Sequence, residues 1–262
     1  MELKAFQFSI ANGVAHITMD QPELGNPINR VFCEEYDDLS IACEQNPEVR
    51  AILIDANGTN FSLGGDLKYF KNSREDLPRE FKEMTDRLHA GVARFRRMDA
   101  PVVIAADNLV VGGGAAVAAG ADVLICTDRA KFYGAFAGIG VSGDTGMSHF
   151  LPRLVGVRKA VEFMMLNKMW SAQEALDNGL VSEIVAADEL ASRARAVAEQ
   201  LAAGPTGAFG RMKRLLLSTW DQSLEQQLES EAAGMVACAK TEDTWNAINA
   251  VLTKQKPVFN NR

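Results

Sequence analysis

Apolar and polar residues alternate with a period of two through FQFSIANGVAHITMDQP, residues 6–22, and the alternation breaks once, at Asn12-Gly13. Both residues tolerate positive φ, so the pattern predicts two strands joined by a two-residue hairpin turn. Beyond a loop at 22–27 the period lengthens. Val31, Tyr36, Leu39, Ala42 and Cys43 recur at helical spacing, which predicts a helix over about 29–45. VRAILIDA (49–56) is then continuously apolar, as expected of a strand buried on both faces of a mostly parallel sheet. PVVIAAD (101–107), ADVLICT (121–127) and VSEIV (181–185) read the same way.

Helical stretches at 80–97 and 113–119 lie between these strands, so the first part of the chain predicts an α/β core with right-handed crossovers. From about 157 the pattern is helical throughout: VRKAVEFMML, SAQEALDNG with Ser171 as its cap, ELASRARAVAEQLAAG, PTGAFGRMKRLLLSTW and the long run 223–255. That last run carries Leu224, Leu228, Met235, Val236, Trp245, Ile248 and Val251, an apolar face too wide for a free tail. It predicts a helical region over 201–262 that needs a partner surface, appended to a core over 1–200, with a soft boundary near 200. Trp170, Trp220 and Trp245 read as packing residues on helices.

Composition narrows the function classes. The net charge is −7 and there is no basic run, so neither nucleic acid nor an anionic membrane surface is an expected partner. Cys33, Cys43, Cys126 and Cys238 show no CxxC spacing, and three histidines without an HExxH motif give a metal centre little support. The start MELKAFQFSI lacks a basic segment followed by an apolar one, and no apolar run reaches spanning length, so the expected location is the cytoplasm.

Two glycine-rich turns follow predicted strands: NFSLGGDL (60–67) and VVGGGAAVAAG (110–120). At such strand-to-helix junctions backbone N–H groups lack intrahelical partners, which suits an anion, although tight turn packing explains glycine equally well. Neither turn matches GxxxxGK[ST], and the second lacks the acid expected after a dinucleotide fold. Two amides from different turns meeting at one oxygen would instead form an oxyanion hole. A third stretch, FAGIGVSGDTGMSHFLP (136–152), sets one acid, Asp144, among small residues in an apolar neighbourhood. A solvated turn residue is the bland reading and a catalytic base the sharper one.

FSLGGDL, GGGAAVAAGADV, AKF (130–132), the loop ending in FLPRLVG, and SAQEALDNGLVSEIV together resemble the crotonase (enoyl-CoA hydratase/isomerase) superfamily over nearly the whole chain. The resemblance implies a spiral of ββα repeats, a C-terminal helical trimerisation region, a homotrimer or dimer of trimers, and an acyl-CoA substrate whose thioester enolate is held by two backbone N–H donors. No permanently bound cofactor is implied, coenzyme A being part of the substrate. The donors map to Gly65 and Gly113, with Asp66 capping the next helix. Acyl-CoA contacts map to Leu24, Leu63, Gly64, Leu67, Lys68, His89, Gly112, Phe136, Ile139 and Phe259, with Lys256 beside the last. The loop holding Leu24 departs from the family's usual pattern at GNPIN.

Family hydratases use two glutamates at the positions of Ala116 and Phe136, so both are missing here. An alanine and a phenylalanine cannot deprotonate water, which disfavours ordinary hydration. Asp144 instead matches the single carboxylate of the superfamily's isomerases, especially the type that isomerises a ring epoxide of phenylacetyl-CoA. The expected chemistry is therefore acyl-CoA isomerisation with Asp144 as acid and base and Phe136 excluding water. Three alternatives stay open: a hydratase-type lyase, a binding or scaffold role, and a 4-chlorobenzoyl-CoA dehalogenase-like or thioester hydrolase-like enzyme with Asp144 as nucleophile and His89 as base. Against the last, that enzyme's phenylalanine and tryptophan are replaced by Gly65 and Phe136. Tyr133 could donate a hydrogen bond near the second turn.

Overall fold

The structure, a computed structural model, describes residues 2–260. The hairpin forms as the alternation predicts: β1 (Phe6–Ala11) pairs antiparallel with β2 (Val14–Met19), with Ala11 opposite Val14. Asn12 and Gly13 between them have φ of 53° and 77°, the two positive values that a tight two-residue turn needs. Then come α1 (Arg30–Gln45), β3 (Ala51–Ala56), α2 (Leu67–Asn72), α3 (Leu77–Arg97), β4 (Val102–Ala106), β5 (Leu109–Val111), α4 (Gly113–Ala119), β6 (Val123–Thr127) and β7 (Lys131–Tyr133). They are followed by α5 (Met147–Val155), α6 (Val157–Met165), β8 (Trp170–Ser171), α7 (Ala172–Asp177), β9 (Glu183–Val185) and α8 (Leu190–Ala202). Last are α9 (Thr206–Ser218), α10 (Leu224–Ala239) and α11 (Glu242–Leu252).

The main sheet has the order β1-β2-β3-β4-β6-β9, parallel from β2 onward. Its central strands are continuously apolar because both faces are covered. Val14, Ala51, Leu53, Val103, Ala105 and Ile125 pack against Ala194, Ala198 and Ala202 of α8. Alternate residues, among them Ile17, Ile52, Ile54, Ile104 and Leu124, join a larger core with Phe32, Tyr36 and Leu39 of α1 and Leu88 and Phe95 of α3. Small alanines let α8 lie close on one face, while large side chains fill the other. Among the described residues no helix is long and apolar enough to cross a membrane.

A second sheet, β5-β7-β8, escapes the sequence reading. Its strands are two or three residues long, too short for periodicity to register. Trp170 lies in β8 and is buried, not on a helix; Trp220 and Trp245 are 68% and 59% exposed, so in this chain they are not packing residues. The run 223–255 is two helices rather than one, because Thr241 caps a new start by accepting from the Thr244 amide at 3.3 Å. Ser171 caps α7 with a reciprocal Glu174 contact, as its S-x-x-E spacing predicts.

α9 is fastened to the core at two points. The buried Lys213 donates to the carbonyls of Phe95 (3.1 Å) and Ala100 (2.9 Å) and pairs with Asp122 at 2.7 Å. Burial lowers the ammonium pKa, with Asp122 opposing that shift. One turn earlier, a Cβ at Gly210 would lie 1.9 Å from Asp99 Oδ1 and 2.5 Å from Asp99 Cα, which is backbone that cannot step aside. Gly210→Ala is therefore expected to cost about 1–3 kcal/mol by overpacking. Urea denaturation should show a lower midpoint, and an unchanged midpoint would contradict this account of the helix seat.

Candidate active site

The second sheet gathers the glycine turns. An isolated bridge pairs Ser62 with Val110 of β5, so the turn at 60–66 runs beside the strand that ends at Gly112. Gly112 has φ 56° and its amide donates to Tyr133 O of β7 at 2.8 Å, which brings the chain entering Phe136 to the same place. The turns lie back to back: Gly64 has φ 83°, and a Cβ there would stand 2.9 Å from Val111 O. Glycine is required at both positions for conformation and approach.

Gly65 and Gly113 follow those two residues, and both line one cavity of about 390 Å³. Ile28 takes its bridge hydrogen bonds from neighbours of Gly65, donating to Gly64 O at 2.8 Å and accepting from Asp66 N at 3.4 Å, so the Gly65 amide between them is left over. Gly113 opens α4, where amides have no intrahelical acceptor. Among the described residues neither amide has a hydrogen-bond acceptor. Asp66 behaves as a structural residue, its Oδ1 accepting from Tyr69 N at 2.9 Å at the start of α2.

Asp144 lines the same cavity, partly buried. Its carbonyl accepts from Met147 N at 2.9 Å across a turn in which both central residues, Thr145 and Gly146, have positive φ (55° and 81°). That conformation is ordinary for glycine and strained for a β-branched threonine, at about 1–3 kcal/mol. Thr145 is fully buried, its hydroxyl donates to Asp144 Oδ1 at 2.9 Å, and its amide donates to His89 Nε2 at 3.1 Å. Among the described residues no other residue donates to Asp144 Oδ2. Burial raises the carboxyl pKa, against the Thr145 hydrogen bond, the nearby His89 and the residue's own amide, all of which lower it. A carboxylate with one oxygen anchored and a raised proton affinity suits proton transfer.

The other walls are apolar. Phe136 and Ile139 line the cavity as the sequence reading expects, Phe136 buried and Ile139 half exposed. Phe81, Met84, Thr85 and Leu88 come from one face of α3, with Phe70, Pro78 and Cys33 beside them. The sequence reading expects the helix over 80–97 to shape the pocket but names none of these residues, although their i, i+3, i+4, i+7 spacing carried the signal. Burial, helped by the Asp144 charge, pushes the Cys33 thiol up to about 12, so it is neutral. Arg30 ties the wall together, reaching Glu80 (2.8 Å) and Glu83 (2.7 Å) of α3 and Tyr69 (3.4 Å) of α2, while the Tyr69 hydroxyl donates to Glu80. Tyr69 first, then Arg30, holds the Glu80 carboxyl below its ordinary range.

Not every candidate residue joins the cavity. His89 is exposed and faces a separate recess lined by Arg96, His149 and Asp221. Gly64 and Gly112 shape the turns rather than line the cavity, and Leu24, Leu63, Leu67 and Lys68 lie exposed on the nearby surface. Leu63 rests on the 22–26 turn, its amide donating to Gly25 O at 2.9 Å. In the departing GNPIN segment, Asn26 sits at φ 51° and donates to Asn57 O (2.9 Å) and Asn60 O (3.1 Å), so a buried amide holds that loop. Phe259 lies in another cavity with Cys43, Pro205 and Thr206, its carbonyl accepting from Arg50 at 2.8 Å, so it does not close this chain's own site. Lys256 is exposed, and Tyr133 OH makes no hydrogen bond among the described residues.

Comparison with known proteins finds relatives over nearly the whole chain. The sequence model of a family described as Enoyl-CoA hydratase/isomerase matches residues 9–262. The chain is 28% identical over 258 residues to 1,2-epoxyphenylacetyl-CoA isomerase from Escherichia coli, covering 95% of this chain and 96% of that one. It is 30% identical over 227 residues to 4-chlorobenzoyl coenzyme A dehalogenase-2 from an Arthrobacter species, covering 86% and 82%. Among solved structures, a Mycobacterium abscessus protein described as an enoyl-CoA hydratase/isomerase superposes with a TM-score of 0.93 at 35% identity, covering 98% of this chain and all of that one.

Proposed function

The chain belongs to the enoyl-CoA hydratase/isomerase family, of crotonase fold, and from that premise we propose that it is an acyl-CoA isomerase using Asp144 as its single acid and base. The observation that carries the reading is one partly buried carboxylate, with raised pKa, in the same cavity as two amides that have no acceptor among the described residues. Asp144 removes a proton from C2 of a 3-enoyl thioester. The electron pair moves onto the thioester oxygen, held by the Gly65 and Gly113 amides, and the carboxylic acid returns the proton at C4 as the C2–C3 double bond forms. An oxyanion held by fixed dipoles in a water-poor site gains far more than it would in water.

Hydration fits this cavity less well. The positions where relatives that add water need glutamates hold Ala116, fully buried in α4, and Phe136, whose ring forms a wall. Halide displacement by Asp144 would need a base to free the resulting ester, and the His89 nitrogen nearest the loop already accepts from the Thr145 amide. Exposed Leu224, Leu228, Met235, Trp245 and Val251 on α10 and α11 support the second part of the reading, a homotrimer built through the helices of 201–262. Coenzyme A enters as part of the substrate, past Leu24, Leu63, Leu67 and Lys68.

The test supplies 3-enoyl-, 2-enoyl- and 4-chlorobenzoyl-CoA separately and identifies products by mass. Conversion of the 3-enoyl thioester to its 2-enoyl isomer is expected, without chloride release. Rapid formation of a 3-hydroxyacyl product, or of chloride with the 3-enoyl substrate untouched, would overturn the reading.

A further inference from the structure

His89 is exposed and lies outside the cavity, yet one of its ring nitrogens is committed to the catalytic loop. Nε2 accepts from the amide of Thr145 at 3.1 Å, so the neutral ring carries its proton on Nδ1. Thr145 is fully buried and held at φ 55°, where a β-branched residue does not rest without outside support. Its hydroxyl in turn donates to Asp144 Oδ1. The chain of contacts therefore runs from α3 through a strained residue to the carboxylate.

We propose that His89 is a positioning residue, whose unprotonated Nε2 fixes the Thr145 amide and thereby aims the Asp144 carboxylate into the acyl cavity. The inference rests on the isomerase reading above and assigns His89 a part in it that is neither base nor nucleophile. If the acceptor is lost, a buried amide has no partner and Thr145 is free to leave the left-handed region. Its hydroxyl then swings off Oδ1. Small displacements of a reacting group cost rate steeply, while thioester binding, made elsewhere in the cavity, is untouched. Glutamine places its amide oxygen about where Nε2 lies, whereas asparagine reaches only as far as Nδ1.

The experiment measures kcat and KM for 3-enoyl-CoA isomerisation in the full chain and in His89→Ala, His89→Asn, His89→Gln and Asp144→Asn, with melting temperatures for each. Ala and Asn are expected to lose about 10–100-fold in kcat with KM nearly unchanged, and Gln to recover most of that loss. His89→Ala at the parent's kcat beside an inactive Asp144→Asn would overturn the positioning role alone. So would a Gln variant as slow as the Ala variant, the result expected of a proton-transferring histidine. An Asp144→Asn enzyme as fast as the parent would instead remove the isomerase reading itself.

Discussion

Asp144→Asn is expected to slow the double-bond shift of a 3-enoyl-CoA by about 10²–10⁴-fold, the usual contribution of a positioned acid–base group, while leaving thioester affinity within a few-fold of the parent. Asparagine keeps the shape of the side chain and an oxygen to accept the Thr145 hydroxyl, so the loop at 144–147 should hold. The same substitution should raise stability at neutral pH. The folded carboxyl has its pKa raised, mainly by burial, so the folded state binds a proton more readily than the unfolded chain does. Its contribution to stability is complete below the unfolded pKa and is lost as pH rises through the folded value, so at neutral pH the acid favours the fold less than a neutral side chain of the same shape. Melting temperatures of the two proteins should converge as pH is lowered. A variant less stable than the parent at pH 7, or one with parental turnover, would contradict this account of Asp144.

Removing one of the two free amides should cost nearly as much. A backbone N–H is deleted only by proline, and Gly113 is favourably placed for it at the first position of α4, where proline is well tolerated. A Cβ there would stand 2.6 Å from Ile28 Cδ1, so the test adds Ile28→Val, which lacks that methyl. Gly113→Ala with Ile28→Val serves as control because it keeps the amide. The proline pair is expected to turn over about 10²–10³-fold more slowly than the alanine pair, the loss seen when one oxyanion donor is removed, with similar unfolding midpoints. Equal turnover in the two pairs would mean that the Gly113 amide holds no charge in the reaction.

Much of the frame was legible because burial writes itself into periodicity. β4 is apolar at every position, and β3 and β6 at all but Asp55 and Thr127 near their ends, since α8 covers one face and the α1–α3 layer the other. The Asn12-Gly13 turn and the Ser171–Glu174 capping box are local and need no tertiary information. β5, β7 and β8 left no trace, being held by pairing with one another rather than by a pattern of their own. The break between α10 and α11 was hidden because no glycine or proline marks it, only the polar run KTEDT at 240–244.

In the site, Asp144 could be singled out as an acid among small residues and the two turns by their glycines at strand ends, whereas Gly65 and Gly113 within those turns came from the family resemblance. What His89 does could not be read. Its partner is a peptide amide, and nothing in a threonine side chain announces a left-handed backbone. That Phe259 lies away from this chain's own cavity could not be read for the same reason, since a chain terminus carries no periodicity to say where it docks.

The most direct measurement of the central claim follows hydrogen at C2 of an acyl-CoA in D₂O by mass spectrometry, with no product required. If the carboxylate and the two amides act on one thioester, deuterium enters C2 in the parent and stays out when residue 144 is asparagine. Parental labelling in the asparagine variant, or no labelling of any acyl-CoA by the parent protein, would contradict the account.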